Sequence, residues 1–274
     1  MKFDLTVSIV AYNNNSDHLR AAIESALKSK LNTKLYLIDN SPHDQLKALA
    51  QYPGCEYIFN NRNLGFGKAH NIAMQKALSE SKYHLVLNPD IYFEEGVLEK
   101  IFEYMEMNAD VGQIMPKVLY PTGEVQRLCK LLPSPADLFL RRFFPWVKGA
   151  SKRNRKYELA ESGYNRIMNI PYLSGCFMFL RTSVLGETGF FDDRIFMYIE
   201  DADLTRRIHL RYKTLFFPSV HVYHHYNKGS YKNLKLMLYN IHGAIVYFSK
   251  WGWIFDSERK RINRQVIRDY LPRR

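Results

Sequence analysis

Four short apolar runs recur in the first ninety residues of this 274-residue chain, and each stops abruptly at a polar tip. They cover residues 5–11, 35–38, 56–59 and 85–87. Apolar and β-branched runs of this length predict buried strands. The segments between them carry apolar residues at helical spacing, as Leu19, Ile23 and Leu27 do after the first run. This alternation predicts βαβ units, an α/β fold with a mostly parallel central sheet flanked by helices, and all four polar tips on one edge.

The remaining elements follow weaker signals. The first helix is expected to start at a capping Ser16 or Asp17, and further helices are expected over 44–51 and 68–79. In the second half, strands are predicted over 111–116 and 171–180. The tail from Trp251 onward is basic and is expected to be helical. The residues expected to make apolar contacts with the rest of the protein are Ile254, Phe255, Ile262 and Ile267.

Composition restricts the class of protein. A chain with 46% hydrophobic and 24% charged residues is globular rather than disordered. The net charge of +12 favours anionic partners, namely nucleotide phosphates, acidic lipid headgroups or nucleic acid. Three widely spaced cysteines predict reduced thiols. The N-terminus runs straight into a strand and no apolar run is long enough to span a bilayer, so we expect a cytoplasmic protein, free or attached to a membrane surface.

The fourth apolar run ends at Asn88-Pro89-Asp90. Proline fixes φ and removes a backbone donor, which forces a turn. Asp90 is therefore expected at the carboxyl end of a strand, where open α/β sheets bind their ligands. A carboxylate there suits Mg²⁺ or Mn²⁺, which binds phosphate oxygens from its other side. Read alone, the tripeptide is also compatible with a plain turn.

The loops after the first two strands are also polar. Tyr12 and Asn13 follow the first strand, and Asp39-Asn40-Ser41 ends the second. A carboxylate at such a position can accept the N3–H of a uracil or thymine ring, and an asparagine can bond its carbonyls. Each loop equally fits a helix-capping or Asx turn.

The third loop, Asn63-Leu64-Gly65-Phe66-Gly67, has Asn71 one turn into the helix that follows. Backbone and amide groups at a helix N-terminus suit a polar or anionic ligand. The glycine spacing excludes the dinucleotide fingerprint, and the absence of Gly-Lys-Ser/Thr excludes a phosphate-binding P-loop. The alternative is that the two glycines only make a tight turn.

A cluster of carboxylates in the second half carries further titratable groups. Glu200, Asp201 and Asp203 fall within four positions, which is costly unless a cation or a reacting proton is near. One of these carboxylates can act as a general base on a hydroxyl, although all three also fit an acidic helix start paired with Arg206 and Arg207.

Several histidines follow the last predicted strand. A histidine there can complete a metal site with Asp90. His221 and His225 are expected to be packed or surface groups rather than ligands.

Taken in order, these motifs resemble the inverting nucleotide-sugar glycosyltransferases of family 2, with the GT-A fold. Within them, the chain is most similar to the bacterial rhamnosyltransferase-like branch that builds surface polysaccharides. The resemblance covers residues 5–250 and rests on segments 10–13, 39–41, 63–71, 88–90, 174–176, 200–204 and 224–230. It implies one GT-A catalytic domain over 1–250, with a nucleotide-binding half at 1–110, an acceptor-binding half at 111–250 and a basic tail at 251–274.

The resemblance also implies roles for individual residues. Asp201 matches the catalytic base, and Asp90 with His224 would bind Mg²⁺ or Mn²⁺. The donor, a dTDP- or UDP-sugar with rhamnose favoured, would contact a set of loop residues at Ala11, Tyr12, Asn13, Asp39, Asn63, Gly65, Asn71, Asn88 and Asp90. The acceptor, a polyprenyl-diphosphate-linked saccharide in O-antigen synthesis, would contact Gly175, Cys176 and Glu200. The usual first Asp of the metal signature is Asn88 here, so one carboxylate ligand is missing.

Two other functions are compatible with parts of the sequence. A nucleotidyltransferase acting on a sugar phosphate normally has a basic, Gly-rich first loop, which residues 12–15 lack. A non-catalytic basic binding module for nucleic acid would place carboxylates in the groove that phosphates must enter, so no nucleic-acid partner is expected. The basic segment 141–156 and the tail favour docking on an anionic membrane, at the inner face of the plasma membrane.

Overall fold

The first four strands form the parallel half of the central sheet, in the order β3-β2-β1-β4. They are β1 (Phe3–Ala11), β2 (Thr33–Asp39), β3 (Cys55–Phe59) and β4 (Ser81–Leu87). In the computed structural model, which describes residues 1–138, 149–226 and 234–272, Ala11 pairs with Asp39 and Asp39 pairs with Phe59. The last residues of three strands are therefore in register, so the loops that follow them lie side by side, as predicted.

Helices α1 (Ser16–Leu27) and α2 (Phe66–Glu80) join these strands, with a 3₁₀ turn over Gln45–Ala50. The cap of α1 is neither Ser16 nor Asp17, because the Asn15 side chain accepts from the backbone N–H groups of Asp17 and His18. A 3₁₀ turn replaces the predicted α-helix over 44–51.

The second half completes a mixed sheet. The further strands are β5 (Ile91–Tyr92), β6 (Val111–Leu119), β7 (Cys129–Lys130), β8 (Met168–Asn169), β9 (Tyr172–Leu173), β10 (Phe177–Arg181) and β11 (Lys213–His224). Of these, β7 and β9 form a separate two-stranded sheet, and β8 pairs with β11. The sheet continues as β4-β10-β6-β11-β5, with β10 antiparallel to both neighbours and β6 parallel to β11. The predicted strand over 171–180 is two strands, since residues 174–176 form a loop between β9 and β10.

Among the described residues, the further helices are α3 (Val97–Met107), α4 (Ala150–Tyr157), α5 (Thr182–Thr188), α6 (Glu200–His209), α7 (Leu234–Trp251) and α8 (Ser257–Tyr270), and residues 135–138 are also helical. A 3₁₀ turn covers Ala160–Ser162. Within residues 1–138, 149–226 and 234–272, none of the helices combines the length and apolarity that crossing a bilayer requires.

The C-terminal tail packs on the core through α8. Ile262 and Val266 are buried, and Ile267 packs beside them. The prediction for Ile254 and Phe255 is wrong, because their side chains are 71% and 90% exposed in the loop before α8.

Candidate active site

A cavity of about 540 Å³ opens at the carboxyl edge of the parallel strands, between the loops of the first half and the start of α6. From the first half it is lined by Val10, Tyr12, Asn14, Asn40, Asn63, Gly65, Phe66, Asn88, Pro89 and Asp90. From the second half, the predicted residues that line it are Ser174, Gly175, Cys176, Glu200, Asp201 and His224. Two sets of sequence-predicted residues, far apart along the chain, therefore face one space.

Strand pairing explains this meeting. Leu87 pairs with Phe177, and the Asn88 N–H donates to the Cys176 carbonyl at 2.9 Å, which sets loop 174–176 beside the turn at 88–90. On the other side, β11 pairs with β5, and the N–H of His225 donates to the Asp90 carbonyl at 3.0 Å. The end of β11 is thereby fixed against the same turn.

Asp90 and His224 face one another across 3.3 Å, measured from Oδ1 to Nε2. The other ring nitrogen, Nδ1, lies 2.9 Å from the Gln126 amide oxygen. The Gln126 amide NH₂ donates to the backbone carbonyl of His224 at 2.9 Å, so its oxygen is the atom left to accept from Nδ1–H. Gln126 therefore fixes the tautomer in which Nε2 carries a lone pair toward Asp90.

This geometry brings two acceptor atoms together. Asp90 Oδ1 is buried and has no hydrogen-bond donor. A carboxylate oxygen and an imidazole lone pair repel at such a distance unless a proton or a cation lies between them. No group of three or more His, Cys, Asp or Glu side chains with metal-binding geometry occurs in the described ranges.

The carboxylates at the start of α6 lie in the same cavity. Asp201 accepts from the Gly175 N–H at 2.9 Å and the Ala202 N–H at 2.8 Å. Burial raises the pKa of Asp201 above its ordinary value, against the opposing charge of Lys130 and the two backbone donors. Burial, followed by the charge of Asp201, raises the pKa of Glu200 well above its ordinary value, and Glu200 Oε2 has no hydrogen-bond partner.

The turn just before these carboxylates has a strained backbone. Tyr198 and Ile199, just before the helix, have φ values of 72° and 69°, which are costly for residues other than glycine. Gly243 of α7 packs directly below, where an added Cβ would lie 2.7 Å from the Tyr198 carbonyl oxygen. The close packing of α7 thus holds a conformation that the local sequence disfavours.

Several predicted donor-site residues do not line the cavity. Asp39 is fully buried and accepts from the Ser41 N–H at 2.8 Å and the Tyr57 hydroxyl at 2.7 Å. Ala11 is buried in the core, and the Asn13 N–H donates to the Ser41 hydroxyl. These residues shape the loop, and their neighbours Tyr12 and Asn40 face the cavity.

In the third loop, Asn63 accepts from the Gly65 N–H at 2.9 Å and caps the turn. Gly65 has φ +85°, and a Cβ there would lie 2.3 Å from the Phe196 carbonyl oxygen, so this turn requires glycine. Asn71 points away from the cavity and bonds the backbone of Phe191 and the side chain of Asp193. It joins α2 to the segment that leads into α6.

The cavity wall also contains residues for which no role was predicted from the sequence. Among the described residues, they are Leu128, Lys130, Leu138, Tyr157, Tyr172, Met197, Tyr198, Ile199, Tyr226 and Asn240, of which residues 197–199 and Tyr226 adjoin predicted site residues. Most come from segments without a regular apolar period, and the two-stranded sheet of β7 and β9 brings Lys130 opposite Tyr172. His225 stacks on His18 at 4.0 Å, and His221 is exposed.

Comparison with known proteins gives consistent relatives. The model of the family described as Glycosyl transferase family 2 matches residues 6–189. The chain is 26% identical over 241 residues to an N-acetylglucosaminyl-diphospho-decaprenol L-rhamnosyltransferase of Mycobacterium tuberculosis, covering 81% of this chain and 76% of that protein. It is 26% identical over 238 residues to Rhamnosyltransferase WbbL of Escherichia coli, covering 81% and 84%.

Two solved structures share the fold. GalNAc-T7 with UDP, GalNAc and Mn²⁺ superposes with a TM-score of 0.64 at 15% identity, over 98% of this chain and 55% of that one. The mannosyltransferase PcManGT of Pyrobaculum calidifontis, in complex with GDP-Man and Mn²⁺, gives a TM-score of 0.56 at 13% identity, over 84% and 59%. The chain thus spans less than two thirds of each solved chain, and the predicted GT-A fold is confirmed.

Proposed function

The chain belongs to glycosyl transferase family 2, and from that membership we propose that it moves one sugar from a dTDP- or UDP-sugar to a polyprenyl-diphosphate-linked saccharide with inversion. Rhamnose is the favoured sugar, because the two curated relatives described above are rhamnosyltransferases. The lipid-linked acceptor is supported by the name of the mycobacterial relative, which acts on an N-acetylglucosaminyl-diphospho-decaprenol. The role in O-antigen or related surface polysaccharide synthesis belongs to the same proposal.

One observation carries the proposal: the Asp90–His224 pair and the carboxylate of Asp201 line a single cavity that also contains the strand-end loops of the parallel half. A nucleotide base can contact Tyr12 and Asn40 at those loops, while its diphosphate extends toward Asp90. The acceptor hydroxyl would enter from the side of Gly175, Cys176 and Glu200. Donor and acceptor sites adjoin in this arrangement, as direct transfer of a sugar requires.

Asp201 is the proposed general base. Its Oδ atoms are fixed by two backbone N–H groups, and its raised pKa makes it a stronger proton acceptor than an ordinary aspartate. It takes the proton of the acceptor hydroxyl as that oxygen bonds the anomeric carbon. The bond between the anomeric carbon and the diphosphate oxygen breaks on the opposite face, which inverts the configuration.

Asp90 and His224 are the residues proposed to hold Mg²⁺ or Mn²⁺. Their converging acceptor atoms fit a divalent cation, because Asp90 Oδ1 has no donor and Gln126 leaves a lone pair on His224 Nε2 that points toward Asp90. When bound, such an ion offsets the negative charge that develops on the departing nucleotide diphosphate. Asn88, whose side-chain nitrogen lies 3.5 Å from His224 Nε2, leaves this ion with one carboxylate fewer than the usual signature.

The test is the melting temperature of the purified protein with dTDP or UDP, each with and without Mn²⁺. A ligand at 100 times its Kd stabilises the native state by about 2.7 kcal/mol, so the melting temperature should rise, and rise further with metal. Asp90→Ala should abolish the metal-dependent part, and Gln126→Met should weaken Mn²⁺ binding about 10- to 100-fold. Asp44→Ala, an exposed aspartate outside the cavity, is the control.

Transfer itself is measured by release of dTDP or UDP with a synthetic lipid-diphosphate saccharide as the acceptor. A protein whose melting temperature does not respond to any nucleotide at millimolar concentration would contradict the donor site. A protein that binds the nucleotide but releases no dTDP or UDP in this assay would contradict the proposed acceptor. We place the active protein at the inner face of the plasma membrane, where such an acceptor is exposed to the cytoplasm.

A further inference from the structure

Exposed apolar side chains concentrate near the C-terminus. Six of the fifteen large apolar side chains exposed within the described ranges lie between residues 234 and 255: Leu234, Leu238, Ile245, Trp253, Ile254 and Phe255. The last two are the residues wrongly predicted to pack on the core, with 71% and 90% of their surface exposed. Single exposed apolar residues are ordinary, but a cluster of this kind marks a surface that binds something apolar.

Three of these residues lie on one face of α7. At 3.6 residues per turn, Leu234, Leu238 and Ile245 fall within about 40° of one another around the helix axis. The buried residues Gly243 and Tyr247 lie on the opposite side of the helix, and the buried residues Ala244 and Phe248 lie between the two sides. We name the three exposed residues the α7 stripe.

The inner side of the same helix belongs to the active-site wall. Asn240 lines the cavity, and the ring of Tyr239 lies 4.1 Å from that of Phe196. Gly243 packs against the strained turn before Glu200. One helix therefore has an inner side on the cavity and an outer side that presents the α7 stripe to solvent.

The other three residues, Trp253, Ile254 and Phe255, form what we name the apolar loop. Its two ends are fixed: Gly252 closes α7 with φ +96°, and Asp256 is buried under Arg206. The ring of Trp253 packs on Phe248 at 5.2 Å, while the next two side chains project outward. The loop is thus held in an exposed conformation by buried contacts on both sides.

A basic face follows immediately. Helix α8 carries Lys260, Arg261, Arg264 and Arg268 as exposed residues within about 100° of arc. The apolar loop lies between this basic face and the α7 stripe along the chain. Apolar side chains that adjoin clustered cations are typical of surfaces that bind anionic lipid.

We propose that the α7 stripe and the apolar loop insert into the interface of an anionic membrane, with the basic face of α8 on the lipid headgroups. The charge favours a membrane over a second copy of the chain, because two basic faces brought together would repel in a protein of net charge +12. This assigns membrane docking to residues 234–268. Of the sequence-predicted basic segment 141–156, residues 141–148 lie outside the described residues.

Docking in this way would hold the cavity wall formed by α7 next to the bilayer. An acceptor whose lipid remains in the membrane could then present its sugar to Asp201 without leaving the surface. This consequence rests on the proposed function, whereas binding of the protein to vesicles does not.

Co-sedimentation of the full-length protein with vesicles tests the proposal. The vesicles are phosphatidylcholine alone, or phosphatidylcholine mixed with phosphatidylglycerol. Wild type should bind the anionic vesicles more tightly, and the double variant Ile254→Ser/Phe255→Ser should bind them at least about tenfold more weakly. The matched control is Met107→Ser, which removes a side chain 77% exposed on α3 and should leave binding unchanged.

Two further measurements distinguish electrostatic attraction to the membrane from insertion of the apolar loop. Lys260→Gln/Arg264→Gln should weaken binding to anionic vesicles and reduce its dependence on salt. Brominated lipids should quench part of the tryptophan fluorescence of wild type, and Trp253→Phe should remove the quenched component. If the protein binds the membrane only through its charges, bromolipids should not quench the tryptophan fluorescence. That result would contradict insertion of the loop.

Unchanged vesicle binding by Ile254→Ser/Phe255→Ser would overturn the proposal. So would a fall in molar mass in light scattering for that variant without vesicles, because the surface would then join copies of the chain. Failure of the proposed function is a separate result: it appears as absent transfer to a short-chain, water-soluble acceptor by wild type. The loop variants should retain that transfer, and with the acceptor embedded in vesicles they should lose about tenfold in rate.

Discussion

Glu200 and Asp201 are neighbours in the sequence, yet their surroundings favour different charges. Asp201 accepts two backbone N–H groups and lies near the positive charge of Lys130, so its ionised form is partly supported. Glu200 Oε2 has no donor, and the charge of Asp201 raises its pKa further. The pair should therefore lose its first proton from Asp201 while Glu200 remains a neutral acid.

This difference predicts opposite outcomes for two conservative substitutions. Glu200→Gln imitates the neutral acid and should keep kcat within about threefold at neutral pH. Asp201→Asn removes the base and should lower kcat by about 10²- to 10⁴-fold. The measurement is nucleotide diphosphate release across pH, with nucleotide binding checked by thermal shift so that misfolding is excluded.

The direction in which activity changes with pH follows from the same two groups. Activity of wild type should fall as pH decreases through the raised pKa of Asp201, because the base becomes protonated. It should fall again at high pH, when Glu200 ionises and a second negative charge enters the cavity. Glu200→Gln should keep the acid limb and lose the alkaline one. Equal inactivity of the two variants would contradict the assignment of Asp201 as the base.

Residue positions could be predicted from the sequence where they depend on local chain direction. The strand-end position of Asp90 and Asn88 followed from a strand that must end at proline, whereas the choice of Asp201 among three clustered carboxylates came from the family resemblance. Gln126 was not found, since its role depends on an amide that bonds both the ring and the carbonyl of His224. Asp39 was predicted to face a ligand, but a contact from Tyr57 on the next strand turns it inward.

At the scale of elements, α6 is anchored by the side that faces away from the cavity. Asp203 accepts from Lys250 at 2.9 Å and from the Trp251 indole at 2.7 Å, both on α7. Arg206, which is 1% exposed, donates two hydrogen bonds to Asp256 at 2.8 and 2.9 Å. The helix that begins with Glu200 and Asp201 is thus tied to α7 and to the start of α8.

Asp256→Asn should be strongly destabilising. The substitution keeps the shape of the side chain and its cap on α8, but it leaves the buried charge of Arg206 uncompensated, at a cost of about 3–5 kcal/mol in the free energy of unfolding. Urea unfolding measures the loss, and Asp269→Asn in an exposed pair with Arg268 is the control, at less than about 1 kcal/mol. A loss no larger than that of the control would contradict the role of the buried pair.

The acid dependence of that loss follows from the same contacts. Burial raises the pKa of Asp256, but the hydrogen bonds from Arg206 outweigh it and leave the pKa below its ordinary value. Its stabilising contribution is therefore present above the unfolded pKa of about 3.9 and is lost as pH falls through the folded pKa. The difference between wild type and Asp256→Asn should shrink accordingly in acid.

Elements were predictable where the apolar period is strong. The four parallel strands and α2 lie where the pattern places them. The tail was predicted as a helix, but two of its expected contacts fall in the apolar loop, because apolar character alone does not separate a core residue from an exposed one. The break at 174–176 was missed because β9 and β10 read as one apolar run interrupted by three small residues.

At the scale of the whole molecule, the two halves differ in how far apart their paired strands lie along the sequence. Neighbouring strands β1, β2 and β3 are consecutive in the chain, so strand–helix alternation predicts their order. Strand β10 instead inserts between β4 and β6, pairing with residues about ninety and sixty-five positions earlier. No local pattern specifies such pairing, and the cavity wall opposite the donor loops depends on it.

A buried polar cluster within the first half also bears on global stability. The Ser8 hydroxyl lies 2.7 Å from His70 Nδ1 and 2.9 Å from His84 Nε2, between β1, α2 and β4. Burial lowers the pKa of His84 to about 3 and that of His70 well below its ordinary value. Both histidines therefore fold as neutral rings, and the unfolded chain takes up their protons as pH falls below about 6.5.

Each of these histidines should cost about 2 kcal/mol of unfolding free energy between neutral pH and pH 5, because only the unfolded state binds the proton. The test compares urea unfolding of wild type and His70→Gln at both pH values. Since the same carboxylates titrate in both proteins, the difference between their pH-dependent losses isolates His70, and wild type should lose about 2 kcal/mol more. His221→Gln, at an exposed position, should behave as wild type. Equal losses in wild type and His70→Gln would mean that the folded protein accepts a proton at His70, and that the cluster opens without global unfolding.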